Sequence, residues 1–219
     1  MQKIPTIKIN YSLEFEQIRV KDTFEKIDWF REHEYNPIFP GNKRIPDISE
    51  TCELTDLIEL VHSEYDQHFF IDITRKFEDQ WKWFVDNWQE SPINQTALVF
   101  EDSYEVFLTS YGVGGSYDLP NTVVMNVRQR AHDKLVVILF HEIIHLSIEP
   151  FIQKYSIPHW YKERIVDLFY KRIFPEKAFE QNLPKEVLVV DSIFNNNFSQ
   201  PEEIIKELSK YLAETDSQN

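Results

Sequence analysis

The stretch from 135 to 146 constrains this chain more than any other. Leu135, Val136, Val137, Ile138, Leu139, Phe140, Ile143, Ile144 and Leu146 are apolar, and only His141, Glu142 and His145 interrupt them. A helix that is apolar on all sides is a buried helix, so the rest of the fold has to wrap around it. Asp133 suits an N-cap and Pro150 breaks helices, which predicts a helix over 133–148.

The three ionisable residues in that helix need compensation. An unpartnered polar group in a dry interior costs several kcal/mol, and an isolated charge far more. His141 and His145 are four apart, so they lie on one helix face, one turn above the other, and can reach a single metal ion. A dication would compensate both imidazoles, and a water on it would give Glu142 a partner. This is the H-E-x-x-H pattern, with two histidine ligands to zinc and a glutamate as general base. The plainer alternative is a pair of hydrogen-bonded core histidines with Glu142 emerging at the surface.

A catalytic zinc site needs a third protein ligand and an open position. Residues 159–173 read as a second helix, stopped by Pro175 and reached through the short connection between Pro150 and Pro158. Glu163 and Asp167 are one turn apart on it. Glu163 could complete the ligand set, and Asp167 could accept the ring N–H of a ligating histidine. The alternative is an exposed acidic pair interleaved with Lys162 and Arg164.

The pattern H-E-x-x-H, seventeen residues, E-x-x-x-D resembles the gluzincin metallopeptidases, the superfamily containing thermolysin. The resemblance covers roughly residues 96–173. It implies one zinc ion per chain held by His141, His145 and Glu163, with Glu142 as base and proton shuttle and Asp167 as partner to a ligand. It also implies a zincin-like core, in which an antiparallel edge strand above the active-site helix binds an extended substrate. Residues 122–127 sit in the matching place, preceded by a loop with three of the four glycines, Gly112, Gly114 and Gly115. That loop is either a plain turn or a place of close backbone approach. The transition-state donor of the superfamily has no clear counterpart. Tyr155, His159 and Tyr161 are candidates, with His159 preferred because Pro158 and Trp160 flank it at a helix start.

Composition narrows the partners. A formal net charge of −14 argues against a nucleic-acid stripe or a polybasic membrane patch. The expected partner is a peptide or protein substrate, and oligomeric state is left open. An aromatic content of 15% argues against disorder. Cys52 is the only cysteine, which suits a reducing compartment. The first residues lack a signal-like apolar segment and no run reads as long enough to span a membrane, so a cytoplasmic location is expected and the Asn-x-Ser/Thr triplets at Asn10, Asn94 and Asn197 carry no glycosylation meaning. Two other functions compete. One is a ferritin-like di-iron protein using Glu59/His62 and Glu142/His145. The other is a zincin-like metal-binding module without catalysis.

The remaining segments predict an α+β fold, mainly helical, with a small antiparallel sheet beside the motif helix. Strands are expected at 6–13 and 122–127, with a hairpin of 96–100 and 104–110. Helices are expected at 22–34, with Asp22 and Glu25 as a capping box, then at 49–65 from Ser49, at 74–90 and at 201–212. The stripe Phe77, Trp81, Phe84, Val85 and Trp88 reads as core. The organisation expected is one domain, with a helical lobe 1–95, a catalytic core 96–175 and a helical tail 176–219.

Overall fold

The computed structural model describes residues 3–48, 52–88, 91–128, 132–175 and 183–216. Its centre is helix α5, Leu135–Lys154, in which every residue from Leu135 to Leu146 is buried. By length and apolarity α5 could cross a membrane, contrary to the sequence expectation. Yet 78% of its most apolar window is buried among the other elements, as a core helix requires. Asp133 is not its cap; Lys134 is, and Pro150 does not end it. Pro150 is exposed within the helix, where its missing N–H forfeits only one hydrogen bond. The helix stops at Ser156, which takes φ 52. Ser156 N–H bonds Gln153 O at 3.3 Å and Ile157 N–H bonds Ile152 O at 3.1 Å, a Schellman closure. Buried Ile152 and Ile157 accompany it, and the chain turns directly into α6, His159–Ile173, which packs back on α5.

Four strands form one mixed sheet in the order β1-β2-β4-β3: β1 Thr6–Asn10, β2 Ser103–Thr109, β3 Gly115–Asp118 and β4 Thr122–Asn126. The first three in that order run parallel, with Ile9 opposite Val106 and Val106 opposite Val123. Only β3 is antiparallel, placing Gly115 opposite Met125 and Asp118 opposite Thr122. The expected antiparallel sheet is therefore a mixed one, because long excursions separate β1 from β2 and return the chain in the same direction. The expected hairpin does not form. Residues 96–100 are not a strand; Ala97 N–H bonds Ser199 O instead, and Leu98 joins the core. Residues 122–126 form an inner strand, and the edge beside α5 is β3.

The other helices are α1 Leu13–Glu25, α2 Ile27–Glu32, α3 Leu54–Glu64, α4 Gln67–Asp86, α7 Val189–Asn197 and α8 Pro201–Asp216. The expected helix at 22–34 starts too late. Ser12 is the cap, accepting from Phe15 N–H at 3.0 Å, while Asp22 lies inside α1 and the chain breaks at Lys26. Helix α4 begins seven residues before the expected 74, with Asp66 capping His68 and Phe69. Ser49 lies outside the described residues, as do 89 and 90. Two apolar clusters result. The larger surrounds α5 and takes in the sheet, α4, α6, α7 and α8. The smaller joins α1, α2 and α3, with Val20, Phe30, Leu57 and Val61 buried.

Candidate metal centre

Helix α5 presents His141 and His145, and α6 presents Glu163, all almost sealed at 6%, 2% and 6% exposed. Their ligand atoms lie within 4.8 Å of one another. His141 Nε2 is 3.2 Å from His145 Nε2, and Glu163 Oε2 is 3.5 Å from His145 Nε2 and 4.0 Å from His141 Nε2. Tetrahedral zinc with bonds of about 2.0–2.2 Å sets its donors roughly 3.3–3.6 Å apart. Two imidazoles and a carboxylate are the right donor types; two of the three separations lie close to that spacing, and the one between His141 and Glu163 is wider. Burial pushes the His145 imidazole toward neutrality, but the Glu163 and Glu142 carboxylates overcome this and hold its pKa above the ordinary value. Burial likewise opposes charge on Glu163, yet His145, His141 and His159 hold its carboxyl far below the usual range. Glu163 thus stays ionised, the form a metal needs.

Glu142 is the second residue of the motif and also buried. Its carboxylate packs against the backbone of Gly115 on the edge strand: a Cβ at Gly115 would stand 2.7 Å from Glu142 Cδ and would overlap the carboxylate. The glycine loop is therefore a close backbone approach, and Gly115 leaves the room that Glu142 occupies. The next strand residue but one, Tyr117, stacks on the His145 ring at 4.9 Å between centroids and 15° between planes. Its hydroxyl donates to Glu149 Oε2 at 2.7 Å and accepts from Lys162 Nζ at 2.9 Å. This net ties β3, α5 and α6 together around the His145 ring. It is absent from the sequence argument because no local spacing joins residues 117, 149 and 162.

The cluster lies in a cleft of about 810 Å³, walled on one side by β3 and on the other by α1, α2 and the segment after it. Tyr35, from that segment, lines the same cleft. Its hydroxyl is 3.0 Å from His159 Nε2. Burial, with the carboxylates of Glu163, Glu142 and Asp167, raises the Tyr35 pKa far above the ordinary value. Burial lowers that of His159. The hydroxyl therefore stays protonated and the ring neutral, and the tautomer of His159 sets which of the two donates. His159 lines the cleft, with Nδ1 3.9 Å from Glu163 Oε1. Tyr155 points elsewhere, its hydroxyl 3.4 Å from Glu202 on α8, and neither it nor Tyr161 lines the cleft. Tyr35 escaped the sequence reading because it sits 124 residues from its partner, in a segment that resembles nothing in the motif.

Asp167 is buried one turn beyond Glu163 on α6. It does not accept from His145, whose Nδ1 is sealed without a hydrogen-bond partner among the described residues. The Glu59/His62 pair is exposed on α3, where His62 Nε2 contacts Gln17 Nε2 at 2.6 Å. The group that could hold a metal among the described residues contains neither of them. Comparison of the chain with protein-family models, curated proteins and solved structures gives no match.

Proposed function

We propose that this chain is a zinc-dependent peptidase with one zinc ion held by His141, His145 and Glu163. The supporting observation is the convergence of these three buried donors, from two helices, at the floor of a cleft bordered by an edge strand. A zinc ion in such a set supplies Lewis acidity, polarising a carbonyl and lowering the pKa of a water toward about 7. Glu142, held against Gly115, takes the proton of the attacking water and passes it to the leaving amine. Strand β3 pairs only with β4 among the described strands, so its outer edge can accept an extended peptide by strand addition. With the His159 Nε2–H donating to its oxygen, the Tyr35 hydroxyl keeps its one proton for the oxyanion that develops on the scissile carbonyl.

Metal analysis and a single substitution test this together. Purified protein should carry about one zinc per chain. Glu142→Gln should keep that zinc and lose hydrolysis by about 10²–10⁴-fold, the usual contribution of a general base. Hydrolysis at the wild-type rate in Glu142→Gln would rule out the assigned base. Zinc bound without hydrolysis of any peptide by the wild type would favour the non-catalytic module.

A further inference from the structure

Arg19 extends from α1 into the cleft wall and the chemistry above makes no use of it. The residue as a whole is half-buried, but its Nε and Nη2 are sealed from solvent and hydrogen-bond to no described group. Gly112 makes this packing possible. It takes φ 82, and a Cβ there would stand 2.5 Å from Arg19 Nε and 2.7 Å from Nη2. Burial pulls the guanidinium pKa below its ordinary value, while Asp22, Asp118, Glu142 and Glu16 support the charge only at range. A buried charge lacking hydrogen-bonded partners is strongly disfavoured, and with Nε and Nη2 covered it is Nη1 that is left to take one from a ligand.

We propose that Arg19 recognises a carboxylate of the substrate, close to the scissile bond. This rests on the peptidase reading. The glycine segment carries the geometry: Gly112 packs on Arg19 and Gly115 on Glu142, three residues further on. An extended chain advances about 3.3–3.6 Å per residue, so the two groups act within roughly three substrate residues of each other. Nη1, which is not among the sealed atoms, carries two N–H donors and can meet a carboxylate with a charge-assisted hydrogen bond. Asp22 and Asp118, both on the cleft wall, disfavour a doubly charged phosphate there. The carboxylate belongs either to an acidic side chain or to the substrate's C-terminus.

Two matched sets of internally quenched peptides test the proposal. One exchanges Glu for Gln at each of the roughly three positions on either side of the cleaved bond. The other compares a free with an amidated C-terminus. Wild type should favour the carboxylate member of one set by about tenfold or more in kcat/KM, the worth of a charged hydrogen bond. Arg19→Gln should bring that ratio close to one, and Arg19→Lys, which keeps the charge on a shorter side chain, should retain part of it. A preference in the first set assigns the carboxylate to a side chain, and in the second to the chain terminus. No preference in either set, or one that survives both substitutions, overturns the proposal. Binding of the same peptides to zinc-loaded Glu142→Gln protein, read by fluorescence anisotropy, separates this from the peptidase reading. The carboxylate preference and its loss with Arg19→Gln should appear there even if no peptide is cleaved, and equal binding of both peptides overturns it.

Discussion

Glu142 and Gly115 show how narrowly the site is built at the scale of single residues. The carboxylate occupies the volume that any side chain at 115 would need. His141, His145, Glu163 and Glu142 were legible in the sequence as a candidate site, because helix periodicity alone puts His141 and His145 on one face. Tyr35 and Arg19 were not, since a local pattern carries no information about a contact made across the whole fold. Tyr35→Phe is the residue-scale test of the oxyanion role. It keeps the ring stacked 5.9 Å from Trp160 and removes only the hydroxyl. Loss of one oxyanion donor should lower kcat by about 10²–10³-fold with KM and zinc content little changed. A kcat within about twofold of wild type would remove Tyr35 from the mechanism.

Among the elements, α1 departs furthest from its expected form. Its segment Leu13–Glu25 is rich in charge, and it buries Glu16, Val20 and Thr23, so no clean apolar stripe announces it. The capping box at Asp22 had the right residues, but Ser12 caps an earlier start and the helix is already formed when it reaches Asp22. Glu16 fastens α1 to the end of β2: its carboxylate accepts from Thr109 Oγ1 at 2.7 Å and Ser110 N–H at 2.8 Å. Glu16→Ala strips acceptors from two buried donors and should cost roughly 2 kcal/mol in urea unfolding, with a change under about 0.5 kcal/mol counting against the clamp. Burial raises the Glu16 pKa above its ordinary 4.5 despite those bonds. The folded state therefore holds the proton more tightly than the unfolded chain. The stability Glu16 confers is fullest below pH 4.5 and declines as pH rises through the folded value, so the gap between wild type and variant should narrow toward neutrality.

For the whole molecule, the cleft falls between the two apolar clusters, with the donors on the larger and Arg19, Tyr35 and Trp29 contributed from the side of the smaller. A metal that binds only when α5 and α6 are packed together stabilises the folded state by mass action. Free zinc at about 100 times its dissociation constant adds about 2.7 kcal/mol. For a chain of this size that corresponds to a Tm about 5–10 °C higher. Calorimetry before and after chelation should show a drop of that order, and His145→Ala should show none. An unchanged Tm on chelation of zinc-loaded wild type would mean that the donors hold no metal.

The sequence alone determined what local periodicity and burial can dictate. The apolar run had to be a core helix, its two histidines had to share a face, and α6 had to follow a short turn carrying Glu163. Tertiary structure decided everything that depends on which distant segments meet. It placed the edge at β3 and not at residues 122–127, because parallel pairing of β1, β2 and β4 is set by the excursions between them. It carried α5 past Pro150 to a Schellman turn, because one forfeited hydrogen bond at an exposed position is cheap against the packing of the last turn. It also brought Tyr35 to His159 and Arg19 to Gly112, contacts paid for by burial of the surrounding helices and so invisible to any reading of neighbours in the chain.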